Sequence, residues 1–138
     1  SSSSTIAHNY SDTGLSKSIS ISSGNVVLVM VSGNVRTDNS GNRGYYEAEG
    51  QLRVVRGSTV LKGQTVGFRN SGANGKNFFS MISFGFIDSP GAGNHTYKLQ
   101  FGGGGGTFRI YVADGTHYHA ASGGFNPSTD ITLFEIDP

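Results

Sequence analysis

Tyr97, Leu99 and Phe101 recur at every second position with Thr96, Lys98 and Gln100 between them, and this alternation limits the fold more than any other feature. A period of two belongs to a pleated strand with one face on a core and the other in water. Directly upstream, the apolar run Phe78 to Ile87 ends in Asp88-Ser89-Pro90-Gly91. Pro sets φ and Gly accepts positive φ there, so the middle of the chain reads as strand, corner, strand.

The same period returns along the chain. Leu15, Lys17, Ile19 and Ile21 alternate with Ser16, Ser18, Ser20 and Ser22. Tyr46, Ala48, Leu52 and Val54 alternate with Glu47, Glu49, Gln51 and Arg53, and Gly50 is where a bulge is expected. Arg56-Gly57-Ser58-Thr59 reads as a hairpin corner leading into short strands at Val60-Leu61 and Gln64 to Phe68. Phe108, Ile110 and Val112 alternate with Arg109, Tyr111 and Ala113, and the chain closes on Ile131 to Ile136. Two runs do not alternate. Val26 to Val31 is apolar throughout, as in a strand covered on both faces, and is the expected centre of a sheet. Phe78 to Ile87 places Phe78, Ile82, Phe84 and Phe86 on one face and Phe79, Met81 and Ile87 on the other. Burial of both faces is expected, the outer one by another layer or a neighbouring subunit.

Between these runs lie polar stretches. Residues 32–44 read as a long exposed connection or a short strand plus loop, 69–77 and 116–128 as loops, and the glycines 102–106 as a flexible hairpin tip. No window places apolar residues at i, i+3, i+4 and i+7 over three turns. The expectation is an all-β fold, a jelly-roll-like antiparallel β-sandwich of about eight strands. Residues 1–14 are read as a Ser-rich linker and lead-in strand, and 15–138 as a single domain, expected to be the C-terminal part of a longer chain.

Gly (22) and Ser (19) are abundant enough to suggest disorder, but 33 Leu, Ile, Val and Phe residues are sufficient for a core. With a net charge of +1 and 14% charged residues, nothing marks a nucleic-acid partner, and no apolar run approaches the roughly 20 residues of a membrane span. Cys is absent, which excludes disulfides and thiolate metal sites.

Groups for catalysis are sparse. The carboxylates fall at expected turns (Asp12, Asp38, Asp88, Asp114, Asp130) or on solvent faces (Glu47, Glu49), and the glycine run lacks the Lys-Ser/Thr of a phosphate loop. Glu47 and Glu49 could serve glycoside chemistry if suitably spaced, against the simpler reading of a solvated pair. In His117-Tyr118-His119 a strand would place both imidazoles on one side, about 6–7 Å apart, from which they could reach one divalent ion. The plainer alternative is an exposed loop. Arg43, Tyr45, Tyr46 and Tyr118 suit sugar contact, since an aromatic face packs on pyranose C–H groups while polar tips bond hydroxyls; completion of the core edge is the other reading. With Asp114 in the turn ahead of the histidine loop, the candidate ligand-binding set is Arg43, Tyr45, Tyr46, Asp114, His117, Tyr118 and His119. No cofactor is expected, and the chain reads as non-enzymatic.

Ile87-Asp88-Ser89-Pro90-Gly91-Ala92-Gly93-Asn94-His95-Thr96-Tyr97-Lys98-Leu99, followed by Ile131-Thr132-Leu133-Phe134-Glu135-Ile136, resembles the C-terminal domains of tailed-phage tail fibres and other virion surface proteins. In those, an Asp-x-Pro-x-x-Gly corner precedes a Thr-Tyr-x-Leu strand and the chain ends on a Leu-Thr-x-x-Glu strand. The resemblance implies a jelly-roll head at the virion surface, a homotrimer joined to the rest of a fibre, and attachment to a host-surface glycan or protein. It carries over no catalytic residue, and the five-glycine tip and the His-Tyr-His loop depart from its pattern. The alternatives are a carbohydrate-binding module or lectin-like domain of a larger enzyme, disfavoured by the absence of Trp, and a trimeric ligand like tumour necrosis factor or C1q.

Overall fold

Alternating sequence becomes extended backbone throughout a computed structural model that describes residues 9–37, 46–70, 78–103, 108–109 and 129–138. The strands are β1 (Asn9–Ile21), β2 (Val26–Thr37), β3 (Tyr46–Arg56), β4 (Thr59–Asn70), β5 (Phe78–Asp88), β6 (Gly93–Gly103), β7 (Phe108–Arg109) and β8 (Asp130–Ile136). Among the described residues there is no helix. The all-β expectation holds.

Two antiparallel sheets pack as a sandwich. One has the order β1-β6-β3-β4; in the other β2 is central, with β5 on one side and β7 and β8 on the other. Val27, Val29 and Val31 from β2, Ile82 from β5 and Ile131 from β8 meet Ile21, Leu52, Val54, Tyr97 and Leu99 from the β1-β6-β3-β4 sheet in one buried cluster. Each such side chain contributes roughly 1.5–3 kcal/mol by leaving water. The alternation of β6 is thereby explained: Tyr97 and Leu99 are buried, whereas Thr96 and Lys98 are exposed.

The turns follow local chemistry. Gly57, at φ 60°, turns the β3–β4 hairpin, and Gly91, at φ 82°, lies in the corner after Asp88. Glu135 secures the β1–β2 turn, its Oε1 accepting from the Ser22 N–H (2.7 Å) and from Asn25 Nδ2 (2.9 Å).

Several sequence expectations need correction. The lead-in strand expected before Leu15 and the strand expected from Leu15 are one strand, which begins at Asn9, and its early part pairs with the end of β6. The register breaks between Asp12 and Ser16, where Thr13 Oγ1 donates to the Leu99 carbonyl (2.8 Å) and accepts from the Leu15 N–H (3.2 Å). β2 runs on to Thr37, because pairing with β5 holds a polar stretch extended whatever its composition. β3 passes Gly50 in unbroken register; the bulge lies instead next to the hairpin, opposite Val54 and Val55, where β4 carries the extra residue Leu61. The two short strands expected after that hairpin are one strand, β4. Gly102 and Gly103 belong to β6, where they pair with β1 and β3; glycine costs a strand stability, but partners on both sides hold it. Within this chain the non-alternating strands are covered on one face only. Met30 of β2 is 46% exposed, and Met81 and Ile87 of β5 are 80% and 55% exposed.

Candidate functional site

Arg43, Tyr45, Asp114, His117, Tyr118 and His119 lie outside the described residues, as do the glycines 104–106. Tyr46 opens β3, its backbone paired with Asn70. Glu47 and Glu49 are likewise placed by backbone only, opposite Arg69 and Gly67.

What the described residues do build is a sandwich with two unlike outer faces. On the outer side of the sheet built around β2 the register aligns Ile87, Leu28 and Phe134 in one row across β5, β2 and β8. The next outward row is Gly85, Met30 and Thr132, and on the other side of the first row Val26 lies opposite Ile136. Ile87, Met30 and Phe134 are each about half exposed, so this face is an apolar surface with no charge in its middle.

The outer face of the β1-β6-β3-β4 sheet is polar. Ser18 and Thr96, paired across β1 and β6, share a hydrogen bond of 2.8 Å, and Ser20 donates to Asn94 in the next such pair. Farther along, the register sets Asp12, Gln100, Arg53 and Gly63 in one row and Tyr10, Gly102, Gln51 and Thr65 in the next. Gln100 Nε2 donates to Asp12 Oδ1 (2.6 Å), and Gln100 Oε1 accepts from Arg53 Nε (2.9 Å). A carboxylate only accepts and a guanidinium only donates, so the orientation of the amide between them is imposed. Lys98 Nζ also reaches Asp12, at 3.2 Å. These bonds, that of Gln100 foremost, hold the Asp12 carboxyl below its ordinary range. The Arg53 guanidinium lies 3.6 Å from the centroid of the Tyr10 ring. Tyr10 in turn donates its hydroxyl hydrogen to Gln51, reaching across β6 at Gly102, where no side chain stands in the way.

Beside Arg53 is a hollow of about 250 Å³ lined by Tyr10, Gln51, Leu52, Arg53, Val60, Gly63, Gln64 and Thr65. Gln64, whose register partner is the core residue Leu52, points to the inner side of the sheet, and its Oε1 is buried with no hydrogen-bond partner. A second hollow, of about 260 Å³, follows the seam where β1 meets β8 and includes Lys17 and Asp130.

A third polar cluster bridges the sheets. Asp88 at the end of β5 accepts from Tyr97 Oη of β6 (2.8 Å) and from Arg56 of β3, through Nε (2.7 Å) and Nη2 (3.3 Å). The Tyr97 side chain is fully buried and the Asp88 side chain is 10% exposed. Burial and the carboxylate beside it push the Tyr97 phenol well above its usual range, and the bond to Asp88 raises Arg56 in turn. With every partner satisfied, this cluster is a lock between layers. Sequence reading placed Asp88 in a turn and missed its role.

Tyr10, Asp12 and Gln100 were missed as candidate site residues too, although the alternation of β3 already set Gln51 and Arg53 on a polar face. The signal that could have found them is the pair of glycines, Gly63 and Gly102, each opposite a large polar residue in the strand register. That register is not visible in sequence. Among the described residues no group of three His, Asp or Glu could hold a metal ion. No family model matches this chain, and no curated protein or solved structure matches it.

Proposed function

We propose that this domain is a non-enzymatic structural protein of a virion surface, the trimeric tip of a fibre or spike, attaching the particle to a host-surface glycan. The observation that carries the reading is the apolar outer face of β5, β2 and β8, where Ile87, Leu28 and Phe134 form a row beside Met30. In a lone sandwich that face would be wet, so apolar side chains there favour packing against sister copies. The corner at Asp88 and the closing strand β8 are also the segments that resemble phage fibre heads. A jelly-roll reading of the sandwich draws support from its connectivity: β1 to β6 change sheets at every link except the β3–β4 hairpin.

Sedimentation velocity and light scattering at micromolar concentration test the assembly. A trimer is expected for the wild type and a monomer of unchanged circular dichroism for Phe134→Glu with Ile87→Glu; a monomeric wild type overturns the trimer. Binding of the labelled trimer to host cells, abolished by enzymatic removal of surface glycans, is the expected attachment result. Binding that survives deglycosylation overturns the glycan.

The polar hollow at Arg53 favours a second reading, a carbohydrate-binding module of a larger enzyme. That module would be a monomer, so the same sedimentation experiment separates the two.

A further inference from the structure

We propose that the hollow at Tyr10, Gln51, Arg53, Gly63, Gln64 and Thr65 binds a carboxylate-bearing sugar unit, with the Arg53 guanidinium taking the carboxylate. The inference rests on the glycan-attachment reading and names the class of sugar. It uses the face opposite to the one that carries the trimer.

Arg53 is a held cation that no described carboxylate neutralises. Its Nε is bonded to Gln100, whose amide is oriented by Asp12, and its guanidinium is stacked on Tyr10. Those contacts use one of five N–H donors and one face, and among the described residues no carboxylate pairs with it. Two Nη atoms on a planar fork match the two oxygens of a carboxylate, a geometry that an ammonium cannot reproduce. Among the described residues no second cation lines the hollow, which favours a singly charged planar anion over a phosphate. Asp12 is the opposing charge in the same row, and Lys98 and Gln100 already engage it.

The remaining lining suits a pyranose. At about 250 Å³ the space takes one sugar ring and is small for a larger ligand. Gln51 offers an amide and Thr65 a hydroxyl to ring hydroxyls, while Val60, half exposed, presents an apolar wall. Gly63 keeps the room beside Arg53 open: a Cβ there would lie 2.8 Å from the Leu52 carbonyl oxygen and 3.5 Å from Arg53 Cβ.

Titration of the ¹⁵N-labelled protein with methyl glucuronide, methyl glucoside and propionate, followed by amide shifts, tests this directly. Expected are saturable shifts at Gln51, Arg53 and residues 63–65 with the glucuronide, and binding weaker by about tenfold or more for the other two probes. Arg53→Gln should weaken glucuronide binding by a similar factor, and Arg53→Lys, which keeps the charge without the fork, should not restore it. Equal binding of glucoside overturns the role of the carboxylate, equal binding of propionate overturns the sugar, and no saturable shift, or full affinity in Arg53→Lys, overturns the site. Sedimentation of the same samples keeps the readings apart. A trimer that ignores the glucuronide defeats this inference alone, whereas a monomer that binds it defeats only the trimer.

Discussion

The Tyr97 hydroxyl donates to the Asp88 carboxylate over 2.8 Å, joining β6 of one sheet to the end of β5 in the other. The two residues flank the Pro-Gly corner, so one side-chain bond closes the turn and ties the layers. Arg56, from the β3 end of the hairpin, holds the same carboxylate from a third strand.

Removing only the hydroxyl, in Tyr97→Phe, should cost about 1 kcal/mol, because the ring stays buried while one hydrogen bond is lost. Asp88→Ala should cost more, about 2–4 kcal/mol, since it leaves a buried phenol and a guanidinium without their acceptor. Urea unfolding of the two variants measures both, and the ranking is the informative result.

The same phenol makes stability fall in alkali. Its pKa is raised in the folded state above the ordinary 10.0, by burial first and by Asp88 second, so the folded protein holds the proton that the unfolded chain releases. The stabilisation is fully present below pH 10 and is lost as pH rises above it. Urea midpoints should therefore decline above about pH 10, and less steeply in Tyr97→Phe.

At the acid end the sign reverses. Asp12 and Glu135 are held below their ordinary 3.8 and 4.5, the first chiefly by Gln100 and the second by the Ser22 backbone N–H. Their contribution is present above those values and is lost as pH falls through the lowered ones. Glu135→Gln should flatten the acid decline of the urea midpoint.

In the core, Leu52→Ala should cost about 2–5 kcal/mol, as expected when a fully buried leucine leaves a cavity between packed sheets. Thermal or urea denaturation reads this out.

Two glycines in strands should respond differently to alanine. At Gly63 the new Cβ would sit 2.8 Å from backbone oxygen, so the strand must move, at about 1–3 kcal/mol. At Gly85 the nearest atom is the Val29 carbonyl oxygen, at 3.4 Å, and the change should stay within about 0.5 kcal/mol.

Local signals made much of the sandwich legible. The inward sets Leu15-Ile19-Ile21, Leu52-Val54 and Tyr97-Leu99 follow from alternation, and the central place of β2 follows from its apolar run. Strand limits were harder to read, because pairing rather than composition keeps Ser32 to Thr37 and Gly102-Gly103 extended.

By itself, the order of residues determined the secondary-structure class, the turns and which side chains face inward, since each depends on neighbours within a few positions. Tertiary structure alone decided the partners: Tyr10 with Gln51, 41 residues apart, Asp12 with Gln100, 88 apart, and Arg56 with Asp88, 32 apart. Strand order and register create these meetings, and they arise from the packing of whole sheets, which no local pattern encodes. The apolar outer face has the same origin. Leu28, Ile87 and Phe134 are scattered along the chain and become one row only when β8 and β5 flank β2.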